Sequence, residues 1–75
     1  MAMTPAQCRS ARTLLSWSVS KLAAAAGVSE SAIDDFELER RPADPLVLSA
    51  VRRALEEVGV AFLPQDDVRL GSEVT

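Results

Sequence analysis

Few side chains in this sequence could do chemistry. The 75 residues contain no histidine and a single cysteine, Cys8. Histidine is the commonest general base and metal ligand, and a lone thiol without histidine supports neither a zinc site nor a Cys/His nucleophile. One cysteine also excludes an internal disulfide, and we expect Cys8 to be a small buried apolar residue. We therefore expect no catalysis, cofactor or metal.

The charged residues point to binding rather than catalysis. The acidic and the basic residues fall in different segments of the chain. The short run from Glu30 to Glu37 carries four acids and no lysine or arginine, whereas Arg40 and Arg41 follow it directly. The formal net charge is −3, the wrong sign for a protein that coats nucleic acid indiscriminately. A negative net charge does not exclude a local basic surface.

The length suits one small domain, which we expect over residues 1–75 with its core at about 4–70 and a frayed tail at 71–75. Such a chain buries only about 60% of its unfolded surface, so its core is marginal. The start lacks the apolar stretch of a signal peptide, and no apolar run approaches the roughly 18 residues of a membrane span. We expect a cytoplasmic protein that does not contact membranes.

Capping residues mark the first two predicted helices. TPAQ (4–7) is a capping box with proline at the first helical position, so the first helix begins there and ends near Leu15. Ser18 is the predicted N-cap of a second helix over about residues 19–26. Trp17 lies between these helices and is expected to be a large apolar core residue. The apolar positions of the first helix recur at helical spacing: Cys8, Ala11, Leu14 and Leu15.

Two further helices and a β segment complete the prediction. Ser29 caps a third helix, at about residues 30–38, which turns Ile33 and Phe36 inward. After a proline-containing loop, Asp44 caps a fourth helix that ends at Gly59. The predicted core stripe of this helix is Leu48, Val51, Leu55 and Val58. VAFL (60–63) and VRL (68–70) are β-favouring runs on either side of a turn at PQDD (64–67).

The bend between the second and third helices is the most informative motif. A short turn with glycine between two helices is typical of a helix-turn-helix. Gly27 permits a positive φ, Val28 fills the wedge between the helices, and Ser29 caps the second of them. Ala23 falls where the helices cross, and a larger side chain there would push them apart.

The surrounding sequence, ARTLLSWSVSKLAAAAGVSESAIDDFELERR, resembles the phage-repressor and Cro-like helix-turn-helix family, the xenobiotic-response-element type of transcriptional regulator. The most telling pieces are LLSWS, LAAAAGVS, IDDFE and the fourth helix followed by GVAFL, and the resemblance covers roughly residues 4–70. It implies a compact all-α domain of four to five helices, here with a short C-terminal β segment. It also implies a homodimer that binds a palindromic site in double-stranded DNA.

The resemblance assigns roles to individual residues. Arg12 and Glu37 match the family's ion pair between the first and third helices. Val19 stands where many members have a glutamine that contacts phosphate, which valine cannot do. The positions that face base edges in the major groove are Glu30, Ser31, Asp34 and Asp35.

Acids on this helix are compatible with DNA if cations elsewhere supply the affinity. A carboxylate can accept a hydrogen bond from cytosine N4, and phosphate contacts supply most of the binding energy. The loop after the third helix lies along the DNA backbone in the family, so Arg40 and Arg41 are the best-placed pair. With two unpaired aspartates nearby, we expect modest, selective binding. The candidate phosphate-binding residues are Lys21, Arg40, Arg41, Arg52 and Arg53, with Arg9 as a weaker candidate.

The C-terminal segment and the acidic helix leave alternatives open. A lone edge strand is a liability, so VAFL is expected to pair with VRL, with a second subunit, or with both. The residues predicted to form the homodimer are Val60, Phe62, Leu63, Val68 and Leu70, together with the exposed side of the fourth helix. The main alternative to DNA binding is a module whose acidic helix contacts a basic protein partner, such as RNA polymerase, another regulator or a toxin. An antitoxin that binds both DNA and protein is a third alternative.

Overall fold

The computed structural model describes residues 3–42, 44–63 and 67–70. Over these ranges the chain forms four α-helices followed by a two-stranded antiparallel hairpin, so the fold is mostly helical rather than all-α. None of these helices is long and apolar enough to cross a membrane. In chain order the elements are α1 (Pro5–Leu15), α2 (Val19–Ala26), α3 (Glu30–Glu37), α4 (Pro45–Glu57), β1 (Val60–Leu63) and β2 (Asp67–Leu70).

The helices begin at the residues that the capping signals predict. The Thr4 hydroxyl accepts from the Gln7 backbone N–H at 3.1 Å, and the Gln7 side chain accepts from the Thr4 N–H at 3.0 Å. Ser18 and Ser29 cap α2 and α3 in the same way. The third helix ends at Glu37, one residue before the predicted end, because the next residue already has non-helical geometry.

Each helix contributes to one hydrophobic core. Its largest fully buried side chains are Leu22, Ile33, Leu55, Val51 and Cys8. Two members of the predicted apolar stripes lie outside it, since Leu14 and Val58 are each 44% exposed. Val58 is the C-cap of α4, so its side chain leaves the helical stripe. Leu14 lines an open groove between α1 and β2.

The hairpin closes the open side of this core. Val60 pairs with Leu70 and Phe62 with Val68, while β1 packs on α4 and β2 on α1. Val60 and Val68 are 4% and 7% exposed, so both belong to the core of the subunit. This burial leaves both residues little surface for the predicted contact with a second subunit. The last residue of the predicted turn at 64–67, Asp67, belongs to β2. The rest of that turn, residues 64–66, and the predicted tail at 71–75 fall outside the described residues.

Gln7 has a second role that its capping motif does not reveal. Its side chain is buried, and its amide nitrogen donates to the carbonyl oxygens of Leu63 at 3.0 Å and Asp67 at 3.2 Å. These two carbonyls stand at facing ends of β1 and β2. One side chain therefore starts α1 and also fixes the hairpin to it.

Replacing Gln7 with glutamate tests this second role. Glu keeps an acceptor for the Thr4 N–H but removes the amide donors and places a carboxylate against two carbonyl oxygens. We expect a loss of about 2–3 kcal/mol in the free energy of unfolding, measured by urea denaturation, because buried acceptors lose their partners. The control, Thr4→Ala, removes only the cap and costs about 1 kcal/mol. Equal losses in the two variants would contradict the role of Gln7 at the hairpin.

Candidate nucleic-acid interface

The bend between α2 and α3 has the geometry that its sequence predicts. Gly27 adopts φ 72°, in the left-handed region that favours glycine. The N–H groups of Gly27 and Val28 both donate to the Ala23 carbonyl, at 2.9 and 3.1 Å. Val28 packs against the core, and Ser29 accepts from the Ala32 N–H at 3.1 Å. The bend therefore provides backbone hydrogen bonds at the end of α2 and a side-chain cap at the start of α3.

Glu37, at the end of α3, is held by a bidentate ion pair. Its two carboxylate oxygens accept from Arg12 Nη2 at 2.6 Å and from Arg12 Nε at 2.8 Å. The Cys8 thiol donates to the same carboxylate at 3.0 Å, and Arg9 donates to the Glu37 backbone carbonyl. Arg12 also donates to the Trp17 carbonyl at 3.1 Å. Three residues of α1 thus fix the position of α3.

The surroundings of this cluster shift the pKa values of its ionisable groups. Burial by itself would raise the pKa of Glu37, but hydrogen bonds from Arg12 and Cys8, aided by the charges of Arg12 and Arg9, hold that pKa below its usual range. Burial, followed by the hydrogen bond to Glu37, raises the pKa of the Cys8 thiol. Cys8 is therefore protonated at neutral pH and donates to a carboxylate that is ionised.

The rest of α3 presents a mixed surface. Glu30 and Ser31 are exposed at its start, and neither forms an ion pair with the described residues. Ile33 and Phe36 face the core instead. Val19, in the family position of a phosphate-binding glutamine, packs against the core. The start of α3 is therefore its accessible end.

Asp35, which is predicted from the sequence to be unpaired, lies between two arginines. One of its carboxylate oxygens lies 3.8 Å from Arg40 Nη1, and the other lies 3.8 Å from Arg41 Nε. Both guanidinium groups remain mostly exposed, at 61% and 79% of their side-chain surface. The two best-placed phosphate-binding candidates are therefore held together by an acid of the candidate base-reading helix.

A tight turn after α3 brings these residues together. Glu39 adopts φ 57°, and its N–H donates to the Phe36 carbonyl at 3.2 Å. The Arg40 N–H reaches back to the Asp35 carbonyl at 2.9 Å. This bond pattern is a Schellman motif, which normally has glycine at the left-handed position. Sequence reasoning missed it, because glutamate gives no signal for such a turn.

The other candidate cations lie in different surroundings. Lys21 is exposed, with its ammonium group 5.7 Å from the centre of the Trp17 ring. Arg52 is bound to Glu56 at 3.1 Å and its guanidinium lies over the Phe62 ring at 4.8 Å. Arg53 is exposed and lines a shallow depression between α2 and α4. Among the candidate phosphate-binding residues, Arg40 and Arg41 are thus the ones that the described ion pairs place beside α3.

A helix-turn-helix family model matches residues 9–63, which run from the first turns of α1 to the end of β1. The chain belongs to the Cro/C1-type helix-turn-helix family. This family consists of DNA-binding transcription regulators. A comparison with curated proteins finds no match. The match stops before β2, so the strand that completes the hairpin lies beyond the family's shared region.

In this helix-turn-helix domain, α3 is the second helix of the motif, the position of the recognition helix in helix-turn-helix proteins that bind DNA. Glu30 and Ser31 present their side chains openly, whereas Asp34 and Asp35 are half-buried. Glu37 is fully engaged with Arg12. The acids of α3 thus divide into one that holds the fold, one that pairs with arginines, and two that lie outside these ion pairs.

The lowered pKa of Glu37 predicts how stability depends on pH. An unfolded glutamate has a pKa of about 4.3. The stabilisation from Glu37 is therefore complete above that value and is lost as the pH falls through the lower folded pKa. Glu37→Gln should lower the free energy of unfolding by about 3 kcal/mol at neutral pH, because Arg12 loses its partner.

The measurement is urea denaturation at intervals between about pH 7 and pH 3. The Glu37→Gln variant should show a flatter decline than the wild type over the acidic part of this range. Glu30→Gln is the matched control, since Glu30 is exposed, and it should keep the wild-type decline. An unchanged decline in Glu37→Gln would contradict the role of the ion pair.

The left-handed conformation of Glu39 makes a second prediction about this site. Glu39→Gly should raise the free energy of unfolding by about 1 kcal/mol in urea denaturation, because a left-handed residue with a Cβ is strained. Glu39→Gln is the control, as it removes the charge but keeps the Cβ, and it should leave stability nearly unchanged. An equal gain in both variants would assign the effect to charge rather than to the backbone.

Proposed function

We propose that this protein is a sequence-specific regulator of transcription that binds double-stranded DNA as a homodimer on a palindromic operator. The observation that carries the proposal is the arrangement of α3. Its open start bears Glu30 and Ser31, its opposite face is buried in the core, and Arg40 and Arg41 follow its end. A helix placed in this way enters the major groove with its first turns against base edges.

The residues at the start of α3 suit particular base edges. A carboxylate at Glu30 accepts a hydrogen bond from cytosine N4, and the hydroxyl of Ser31 can donate or accept. Asp34 and Asp35, farther along the helix, are the remaining base-reading residues of the proposal. Such contacts specify sequence, whereas phosphate contacts supply affinity and make it depend on salt.

Phosphate binding falls mainly to the exposed cations around α3. Arg40 and Arg41 are the leading pair, and Lys21 lies on the helix that precedes the turn. Arg53 is exposed on α4 and can contribute, whereas Arg52 is partly engaged with Glu56 and Phe62. A dimer doubles each contribution. The result is a small cationic surface whose binding weakens steeply as salt rises.

The homodimer is proposed from the hairpin and the exposed side of α4. With Val60 and Val68 in the core, the remaining hairpin residues for a second subunit are the half-buried Phe62, Leu63 and Leu70. The exposed Val58 extends this apolar surface. Two-fold symmetry would make each of these residues contact its counterpart region on the partner. The two recognition helices must then lie about 34 Å apart.

A protein-binding module is the second candidate function. The observation that favours it is that Glu30 is exposed and forms no ion pair with the described residues. With Asp34 it offers an acidic surface to a basic partner such as RNA polymerase or a toxin, and an antitoxin would use both kinds of binding. Such binding should survive the loss of Arg40 and Arg41 and fail when Asp34 and Asp35 become asparagine.

Selection from random duplex DNA at about 100 mM salt tests the proposal, since phosphate contacts still count at that concentration. We expect an enriched palindrome with half-sites one helical turn apart. The absence of any enriched sequence would overturn the proposal in favour of the protein-binding candidate.

Single arginine variants test the phosphate contacts on the selected site. Arg41→Ala should weaken binding and reduce the slope of log affinity against log salt by about 0.9 per subunit, as expected for one lost phosphate contact. Arg69→Ala, on the exposed face of β2, removes the same charge far along the chain from α3. An equal effect of the two variants would show that only net charge matters.

A further inference from the structure

The carboxylate of Asp35 lies between the guanidinium groups of Arg40 and Arg41. Each carboxylate oxygen faces a different arginine, and both distances are 3.8 Å. This is longer than a hydrogen bond, so the carboxylate attracts both guanidinium groups while its lone pairs stay open to other donors. Asp35 is 26% exposed, so solvent and ligands can reach it.

The backbone conformation, rather than the choice of side-chain rotamers, brings Arg40 and Arg41 close to Asp35. The Arg40 N–H is bonded to the Asp35 carbonyl through the Schellman turn. Arg41 precedes Pro42, which restricts the backbone of Arg41 to extended conformations. Arg41, Pro42 and Asp35 also line one small depression beside Phe36. The arginines therefore begin next to Asp35 whichever rotamers they adopt.

We propose that Asp35 is an internal counterion that competes with DNA phosphates for Arg40 and Arg41. It thereby lowers affinity for DNA of any sequence and makes firm binding depend on the correct site. The inference rests on the proposed function, because it concerns the same arginines and the same helix.

The sequence dependence follows from the position of Asp35 on α3. When Asp35 accepts a hydrogen bond from a base donor such as cytosine N4, its charge is occupied and the two arginines are released to the phosphates. On other sequences Asp35 has no such donor, so the arginines stay attracted to it. Asp35 is thus a specificity-determining residue that links the reading of bases to the holding of the backbone.

The test compares Asp35→Asn with Glu39→Gln. Both remove one negative charge beside Arg40 and Arg41, but Glu39 forms no ion pair with the described residues and has no proposed contact to a base. Binding to a random-sequence duplex is measured by fluorescence anisotropy at several salt concentrations. Asp35→Asn should raise this non-specific affinity on the order of tenfold at 100 mM salt and steepen the salt slope by about 1 to 2, as expected for released phosphate contacts. Glu39→Gln should change the affinity by less than about threefold and leave the slope unchanged.

Adding Arg40→Ala and Arg41→Ala to Asp35→Asn should abolish the gain. Gains of equal size in Asp35→Asn and Glu39→Gln would overturn the inference, since charge alone would then explain them. Asp35→Ser is measured alongside, because it removes the carboxylate without introducing an amide. It should show the same gain even if the amide of asparagine disturbs the Schellman turn.

Retention on immobilised heparin separates this inference from the proposed function, because heparin is a polyanion without bases. If Asp35→Asn elutes at higher salt than Glu39→Gln, the counterion role is supported even when no variant binds duplex DNA, and only the proposed function fails. If the two variants elute together, the counterion role is wrong whatever the result with DNA.

Discussion

The ion pair between Arg12 and Glu37 is the interaction on which the rest of this structure depends. Glu37 is 4% exposed, and a charge buried to that extent is tolerated only with a partner and satisfied hydrogen bonds. Arg12 supplies two bonds, the Cys8 thiol supplies a third, and Arg9 binds the backbone at the same residue. These bonds fix the end of α3 against α1. Because Arg12 also binds the Trp17 carbonyl, the same guanidinium orients the chain as it enters α2, so one cation positions both halves of the helix-turn-helix.

With that contact in place, the small core needs only local signals that agree with one another. Side-chain caps at Thr4, Ser18, Ser29 and Asp44 begin each helix where its apolar stripe begins. Agreement of this kind gives a short chain a single folded state even when its core is marginal. The hairpin adds the last wall of the core, and Gln7 fixes it to α1 through two carbonyl acceptors. A buried amide is costly without partners, so this residue favours one position of the hairpin over its neighbours.

The sequence predicts the helices closely because caps and periodicity are local properties, and the helix bounds follow from them to within two residues. It fails where the outcome depends on distant partners. The bonds from Gln7 to the hairpin span 56 and 60 residues, and no local pattern encodes them. The burial of Val60 and Val68 depends on how β1 and β2 dock on α4 and α1. The turn at Glu39 is a different case, since it is local but carries a residue that normally avoids the left-handed region. Because that turn was not predicted, the pairing of Asp35 with Arg40 and Arg41 was not predicted either.

The distribution of charge makes the acidic α3 compatible with the proposed binding to a polyanion. Glu37 is neutralised by Arg12 within the fold, and Asp35 is balanced by two arginines at the surface. The acids of α3 outside these pairs are Glu30 and Asp34. If α3 reads bases as proposed, these carboxylates would penalise every sequence that offers them no donor. A net charge of −3 would add little non-specific attraction to phosphates, so on that proposal the preference for one site would come from the match between these carboxylates and base donors. Low general affinity and high selectivity would then be two consequences of the same charge arrangement.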